Sequence, residues 1–206
     1  MAARSPLTRE DAFKPGATGF DVYCVSKSLS DLTVSTFQRA HSDFDIATIH
    51  PTYIYGPLGP GQVYAAPGTG TNGYVYALIA GARGRSVGGY DRATGGPPLS
   101  VDVRDVARAH VLALDLPPSE GSQKRFILSP NTFRWSEAVE LLVEKRPELR
   151  ERLPVVKAGP SDLGPVATLD ISKTESVLGM KNYVKWQDTI LDTVDDLLRV
   201  EKELSG

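Results

Sequence analysis

The chain has 206 residues, 41% of them apolar and 23% charged, which suffices for one substantial core with at most a small second lobe. Its 23 basic and 25 acidic side chains leave a formal charge of −2 and no lysine or arginine block to neutralise a row of phosphates, which argues against a nucleic-acid partner. One cysteine, Cys24, excludes an internal disulfide; three scattered histidines, His41, His50 and His110, make no zinc-type ligand set; and no apolar run is long enough to span a membrane.

The first twenty residues are polar and turn-rich, and a helix is expected from Tyr23, with Leu29, Leu32, Phe37 and Ala40 on one apolar face. Ser42 and Asp43 supply a polar exit before the short apolar run Ile46, Ala47, Ile49, which suits a buried strand. Helix followed by strand is the α/β pattern. Pro51 to Gly73 reads as a long loop rich in Gly and Pro, followed by an apolar helix from Tyr74 to Ala82 that stops at Gly84. Leu99 to Val101 fits a short strand feeding a helix from Val103 to Leu116, with Asp102 as its cap and Val103, Val106, Ala107, His110, Ala113 and Leu114 as its apolar stripe. Arg125 to Leu128 reads as a strand, and Ser136 to Lys145 as a helix closed by Pro147. Ser172-Lys173-Thr174-Glu175 reads as a capping box opening a short helix that ends at Gly179. The last helix is amphipathic, with Ile190, Val194, Leu197 and Leu198 inward.

Tyr23 and Lys27 stand four residues apart, so they share a helical face one turn apart. A tyrosine hydroxyl, with a pKa of about 10, is a poor general acid near neutrality unless a positive charge beside it favours the phenolate, and a lysine at this spacing supplies one. Taken alone the pair is weak evidence, since every helix offers such spacings.

The surrounding wording carries more. Tyr23-Cys24-Val25-Ser26-Lys27-Ser28 resembles the Tyr-x-x-x-Lys helix of the extended short-chain dehydrogenase/reductases, the NAD-dependent epimerase/dehydratase family. His50-Pro51-Thr52-Tyr53-Ile54-Tyr55-Gly56-Pro57 is similar to that family's Asn-Pro-x-x-x-x-Gly-Pro segment, with His in place of the more usual Asn. Val101-Asp102-Val103-Arg104-Asp105-Val106-Ala107 resembles its Val-Asp-Val-Arg-Asp-Val-Ala helix start, and Ser172-Lys173 through Leu178-Gly179 its Ser-Lys-x-x-x-x-Leu-Gly motif. Within the family the resemblance is to the dihydroflavonol-reductase-like and cinnamoyl-CoA-reductase-like carbonyl reductases.

That resemblance implies an α/β chain holding an incomplete Rossmann-like, doubly wound fold. Residues 1–60 would be the later part of the NAD(P)-binding domain, 61–206 mainly a small substrate-binding lobe, and 99–116 a return to the first part. Tyr23 would protonate the carbonyl oxygen, and Lys27 would bond the nicotinamide ribose. Pro51 and Thr52 would line the nicotinamide through the backbone, and Tyr53, Tyr55 and Asn72 would meet the substrate. The implied cofactor is NADP, with NAD as the alternative, and the implied partner is a small carbonyl compound; the amino terminus lacks the basic-then-apolar order of a secretion signal, so the cytoplasm is the expected compartment. Sugar-nucleotide epimerase or dehydratase chemistry would use the same pair.

The family's Gly-x-x-Gly-x-x-Gly turn has no counterpart in the 22 residues before Tyr23, and no residue matches the catalytic Ser or Thr; Ser5 is not assigned that role. Gly68-Thr69-Gly70-Thr71-Asn72-Gly73 fits G-x-G-x-x-G but follows a poor strand, so a flexible loop is expected. His110 is expected buried and hydrogen-bonded, Asp102 and Asp105 as capping acids, and Cys24 as packing. A second, non-enzymatic reading is a shortened chain that binds a partner or forms a homodimer through an uncovered sheet edge.

Overall fold

The computed structural model describes residues 6–81, 99–118, 123–156 and 168–206. The chain divides into two compact units, Met1–Thr48 with Pro117–Lys124, and Ile49–Leu116 with Arg125–Gly206.

In the first unit a single 3-10 turn, Glu10–Phe13, precedes the helix α1, Gly19–Ala40. The helix starts four residues before Tyr23 because Thr18 and Asp21 form a reciprocal capping box. Asp21 donates its N–H to the Thr18 hydroxyl at 3.1 Å and accepts the Thr18 N–H at 2.8 Å. The buried side chains of α1 are Val25 and Ser35, and Cys24, Ser28, Asp31, Val34 and Gln38 are among those half-buried. The expected stripe points outward instead: Leu29, Leu32 and Phe37 are each about two-fifths exposed. The buried Lys124 closes this unit, giving its ammonium to Asp45 and to the Pro117 carbonyl.

The second unit holds most of the strands. β1 (Ala47–Pro51) pairs with β4 (Lys124–Leu128), and both strands begin in the first unit. A three-stranded sheet runs in the order β2 (Tyr53–Tyr55), β3 (Leu99–Asp102), β5 (Asn131–Thr132). β2 and β3 are parallel, with Tyr53 opposite Ser100 and Tyr55 opposite Asp102, while β5 is antiparallel to β3. The segment expected as loop from Pro51 therefore contains a strand. Its Tyr-Ile-Tyr alternation is the strand signal, and the flanking Pro51 and Pro57 hid it.

The helices of this unit are α2 (Asn72–Ile79), α3 (Val103–Leu114), α4 (Trp135–Lys145), α5 (Ser172–Leu178) and α6 (Trp186–Ser205). The expected end of α2 at Ala82 and Gly84 lies outside the described residues. Asp102 caps α3 by accepting the Arg104 N–H at 2.8 Å. The buried face of α3 is Asp105, Val106 and Ala109; Leu114 is 84% exposed, and His110 is exposed with Nδ1 2.8 Å from the Val106 carbonyl. The predicted stripe is displaced because Asp105, a charged residue, takes an inward position where the Val184 N–H and Arg108 satisfy its carboxylate. The capping box expected at Ser172 does not form. Ser172 is inside α5, its N–H goes to Asp170, and the Thr174 hydroxyl reaches the Ile127 carbonyl at 2.7 Å; Gly179, at φ +67°, ends the helix.

The core gathers Leu78 and Ile79 of α2, Val139 and Leu142 of α4, and Ile190, Val194 and Leu197 of α6 around Tyr55, Phe133 and Trp135. Each such burial contributes about 1.5–3 kcal/mol. Among the described residues no helix is long and apolar enough to cross a membrane, and no His, Cys, Asp and Glu group could hold a metal ion.

Candidate active site

In the first unit, α1 carries Tyr23 and Lys27 on one exposed face. Tyr23 is 55% exposed, the Lys27 ammonium stands 5.6 Å from the centre of its ring, and Phe20 stacks on the other flank at 6.3 Å. Lys27 forms no ion pair with a carboxylate among the described residues, so its three donors remain open to a ligand. The phenol and the ammonium are thus brought together, in contact with solvent, by one helical turn whose start the Thr18–Asp21 box defines.

The remaining predicted residues belong to the second unit. Pro51 ends β1. Thr52 directs both its N–H (3.0 Å) and its hydroxyl (3.2 Å) to the Leu128 carbonyl, so neither donor is left for a ligand. His50 is half-buried on β1. Tyr53 and Tyr55, two apart on β2, project to the same side with ring centres 6.5 Å apart, but at different depths. Tyr53 is half-buried. Tyr55, expected to touch substrate, is instead 2% exposed beneath Phe133 and Trp135. Burial, with smaller contributions from the Tyr53 and Tyr74 phenols, pushes its hydroxyl far above the ordinary tyrosine value, which keeps it neutral.

Asn72 opens α2. Its Nδ2 donates to the Gly56 carbonyl at 2.8 Å, and the preceding Thr71 hydroxyl donates to the Ile54 carbonyl, so the start of α2 is stapled to the end of β2. The Asn72 Oδ1 is buried without a hydrogen-bond partner among the described residues. The glycine run before it has steric reasons. Gly68 and Gly70 have φ near +70°, a Cβ on Gly68 would sit 2.6 Å from Tyr76 Cβ, and one on Gly73 would sit 2.4 Å from the Gly68 carbonyl. The Gly73 and Tyr74 N–H groups are already given to Gly70 and Thr71, and no strand leads into the turn, so it lacks the construction of a pyrophosphate cradle.

Sequence reasoning missed what joins the motifs. Gly56, at φ +140°, lies where a Cβ would meet Val103 Cγ1 at 2.5 Å, so the Gly-Pro of one motif and the start of α3 in another are in direct contact. Asp102, fully buried, binds Arg104 through both carboxylate oxygens and accepts the Thr189 hydroxyl at 2.8 Å. Burial alone would raise its pKa; the hydrogen bonds from Arg104 and Thr189 together outweigh that and leave it below the usual carboxylate value. Asp105 goes the other way, raised mainly by burial. Tyr76, Glu201 and Arg152 form a second network, Tyr76 donating to Glu201 at 3.1 Å while Arg152 reaches Glu201 and the Ile79 carbonyl. The spacing of the motifs in the chain gives no sign of these long-range pairs.

No protein-family model matches the chain. It is 33% identical over 181 residues to a ketoreductase of Aspergillus niger, covering 84% of this chain and 49% of the relative. It is 29% identical over 192 residues to an NADPH-dependent methylglyoxal reductase of Saccharomyces cerevisiae, covering 88% and 52%. Among solved structures, that of yeast methylglyoxal/isovaleraldehyde reductase complexed with NADPH superimposes with a TM-score of 0.68 at 26% identity, over 89% of this chain and 52% of that one. The chain spans about half the length of the relatives it matches.

Proposed function

The chain belongs to the extended short-chain dehydrogenase/reductase family, and from that membership we propose that it is the proton-donating and substrate-binding portion of an NADP(H)-dependent carbonyl reductase acting on a small aldehyde or ketone. NAD(H) is the alternative cofactor. The observation that carries the reading is the exposed Tyr23 phenol with the Lys27 ammonium 5.6 Å from its ring.

The residues present suit one end of such a cofactor. Lys27, open to solvent and without a carboxylate partner among the described residues, is available to the ribose hydroxyls beside a nicotinamide. The Gly68–Gly73 turn does not suit the pyrophosphate, because the Gly73 and Tyr74 N–H groups are given to the Gly70 and Thr71 carbonyls and no strand leads into the turn. The bound cofactor would supply hydride to the carbonyl carbon. Tyr23 then gives its proton to the carbonyl oxygen, so that the product is an alcohol, and it regains a proton from the solvent to which it is exposed. Lys27 stabilises the negative charge that develops on the phenol oxygen as the proton leaves.

The test is NADPH oxidation with a ketone substrate before and after Tyr23→Phe, which removes the proton and keeps the ring. Loss of general acid catalysis predicts a fall in turnover of about 10²–10⁴-fold, with cofactor binding retained. Unchanged turnover would take Tyr23 out of the mechanism.

A second reading, a self-associating chain, is favoured by the large apolar side chains that α1 and its flanks leave in solvent: Phe13 (78%), Phe20 (64%) and Phe44 (53%). The reading predicts a concentration-dependent mass in sedimentation, and a mass that stays monomeric at high concentration would exclude it.

A further inference from the structure

We propose that the cavity shared by α4 and the segment that begins at Arg150 is a binding site for a free α-amino acid with an apolar side chain. None of the residues assigned to proton transfer, cofactor or carbonyl substrate lines it, so the proposal goes beyond the reductase reading and does not depend on it.

The cavity follows from the way α4 ends. Arg146 precedes a proline, a position that disfavours helical backbone, so α4 stops at Lys145 and a single 3-10 turn, Pro147–Leu149, follows. Leu149 is buried in the core and anchors that turn. The chain beyond it encloses with α4 a cavity of about 500 Å³, within the range of about 300–1,000 Å³ usual for small-molecule sites. Val139 and Val143, one helical turn apart, line it together with Leu153 and Pro154. Val139 and Leu153 belong to the core cluster, so close packing holds this apolar floor in place.

The charges at the cavity select the class of ligand. Neighbouring charges have partners: Lys145 pairs with Glu144, Arg146 with Glu148 and Asp195, and Arg152 with Glu201. Glu140 and Arg150, which line the cavity, pair neither with each other nor with any other charge among the described residues. One apolar cavity thus carries two opposite charges, each open to a counter-charge. A fatty acid would meet Arg150 but be repelled by Glu140, and an alkylamine would meet Glu140 but be repelled by Arg150. An α-amino acid holds both charges on one carbon, its carboxylate going to the Arg150 guanidinium, its ammonium to the Glu140 carboxylate and its side chain to the valine floor. Glu140 and Arg150 are exposed, so the ion pairs supply selection while the buried floor supplies most of the affinity.

The experiment titrates the 206-residue chain with L-leucine, N-acetyl-L-leucine, L-leucinamide and glycine, following the methyl signals of Val143 and Leu153 by NMR. L-leucine should saturate, and glycine should bind at least about tenfold more weakly, the worth of one buried aliphatic side chain. Arg150→Gln should weaken L-leucine about threefold, the worth of one exposed ion pair, without weakening L-leucinamide. Glu140→Gln should weaken L-leucine by a similar factor without weakening N-acetyl-L-leucine. Both substitutions fall at exposed positions, and an unchanged amide spectrum of the core verifies that the fold is kept. Failure of L-leucine to saturate these signals, glycine or N-acetyl-L-leucine binding as tightly as L-leucine, or an L-leucine affinity unaltered by either substitution would each overturn the proposal.

Discussion

Gly56→Ala probes the contact that joins two motifs far apart in the chain. At φ +140° an L side chain is strained whatever surrounds it, which costs on the order of 1–2 kcal/mol. The added Cβ would also stand 2.5 Å from Val103 Cγ1 and 3.3 Å from the Val103 backbone nitrogen, an overpacking that costs a further 1–3 kcal/mol, roughly. The sum, about 3 kcal/mol, corresponds to a fall in melting temperature of about 6–12 °C for a chain of this size. Both tryptophans, Trp135 and Trp186, lie in the second unit, so their fluorescence in a urea titration reports the unit that contains the contact. The decisive comparison is a cycle with Val103→Ala. Removing the Val103 methyls should recover the part of the loss that comes from the 2.5 Å approach and leave the backbone part. A Gly56→Ala cost that is the same in both backgrounds would show that Val103 is not what the glycine accommodates.

Other outcomes follow from the buried carboxylates and the second network. Asp102, with its pKa held below 3.8, contributes stability that is present above about that pH and is lost as pH falls through its folded-state value; Asp102→Asn should remove about 2 kcal/mol at pH 7 and flatten the acid limb of the unfolding curve. Asp105 carries the opposite sign. With its pKa raised by burial, it destabilises the fold as pH rises from 3.8 through the raised value, so Asp105→Asn should gain on the parent chain over that window in denaturant titrations at stepped pH. Arg152→Met removes three hydrogen bonds, to Ile79 and Glu201, and should lower the urea midpoint more than Tyr76→Phe, which removes one worth about 1 kcal/mol.

Much of the architecture was legible because it is local. The strand at Leu99–Asp102, the Asp102 cap, the helix at Trp135–Lys145 and the Gly179 stop each depend on a few neighbouring side chains and were readable from them. The Tyr23–Lys27 pairing was legible for the same reason, since one helical turn suffices to bring the two together. What escaped depends on distant partners. The inward position of Asp105 is set by Val184, the depth of Tyr55 by Phe133 and Trp135, and the outward turn of Leu29 and Phe37 by which face of α1 is approached; no period in the sequence encodes these. The Gly68–Gly73 run shows the converse case, a pattern suggestive of phosphate binding whose glycines answer to Tyr76 and to the turn's own backbone.

The account stands on the phenol and ammonium of α1 meeting the nicotinamide end of the cofactor, and saturation-transfer NMR of the chain mixed with NADPH tests that contact without requiring turnover. Magnetisation should pass to the nicotinamide protons more strongly than to the adenine protons, and Lys27→Met should abolish the transfer. Transfer confined to the adenine, or nicotinamide transfer that survives Lys27→Met unchanged, would contradict it.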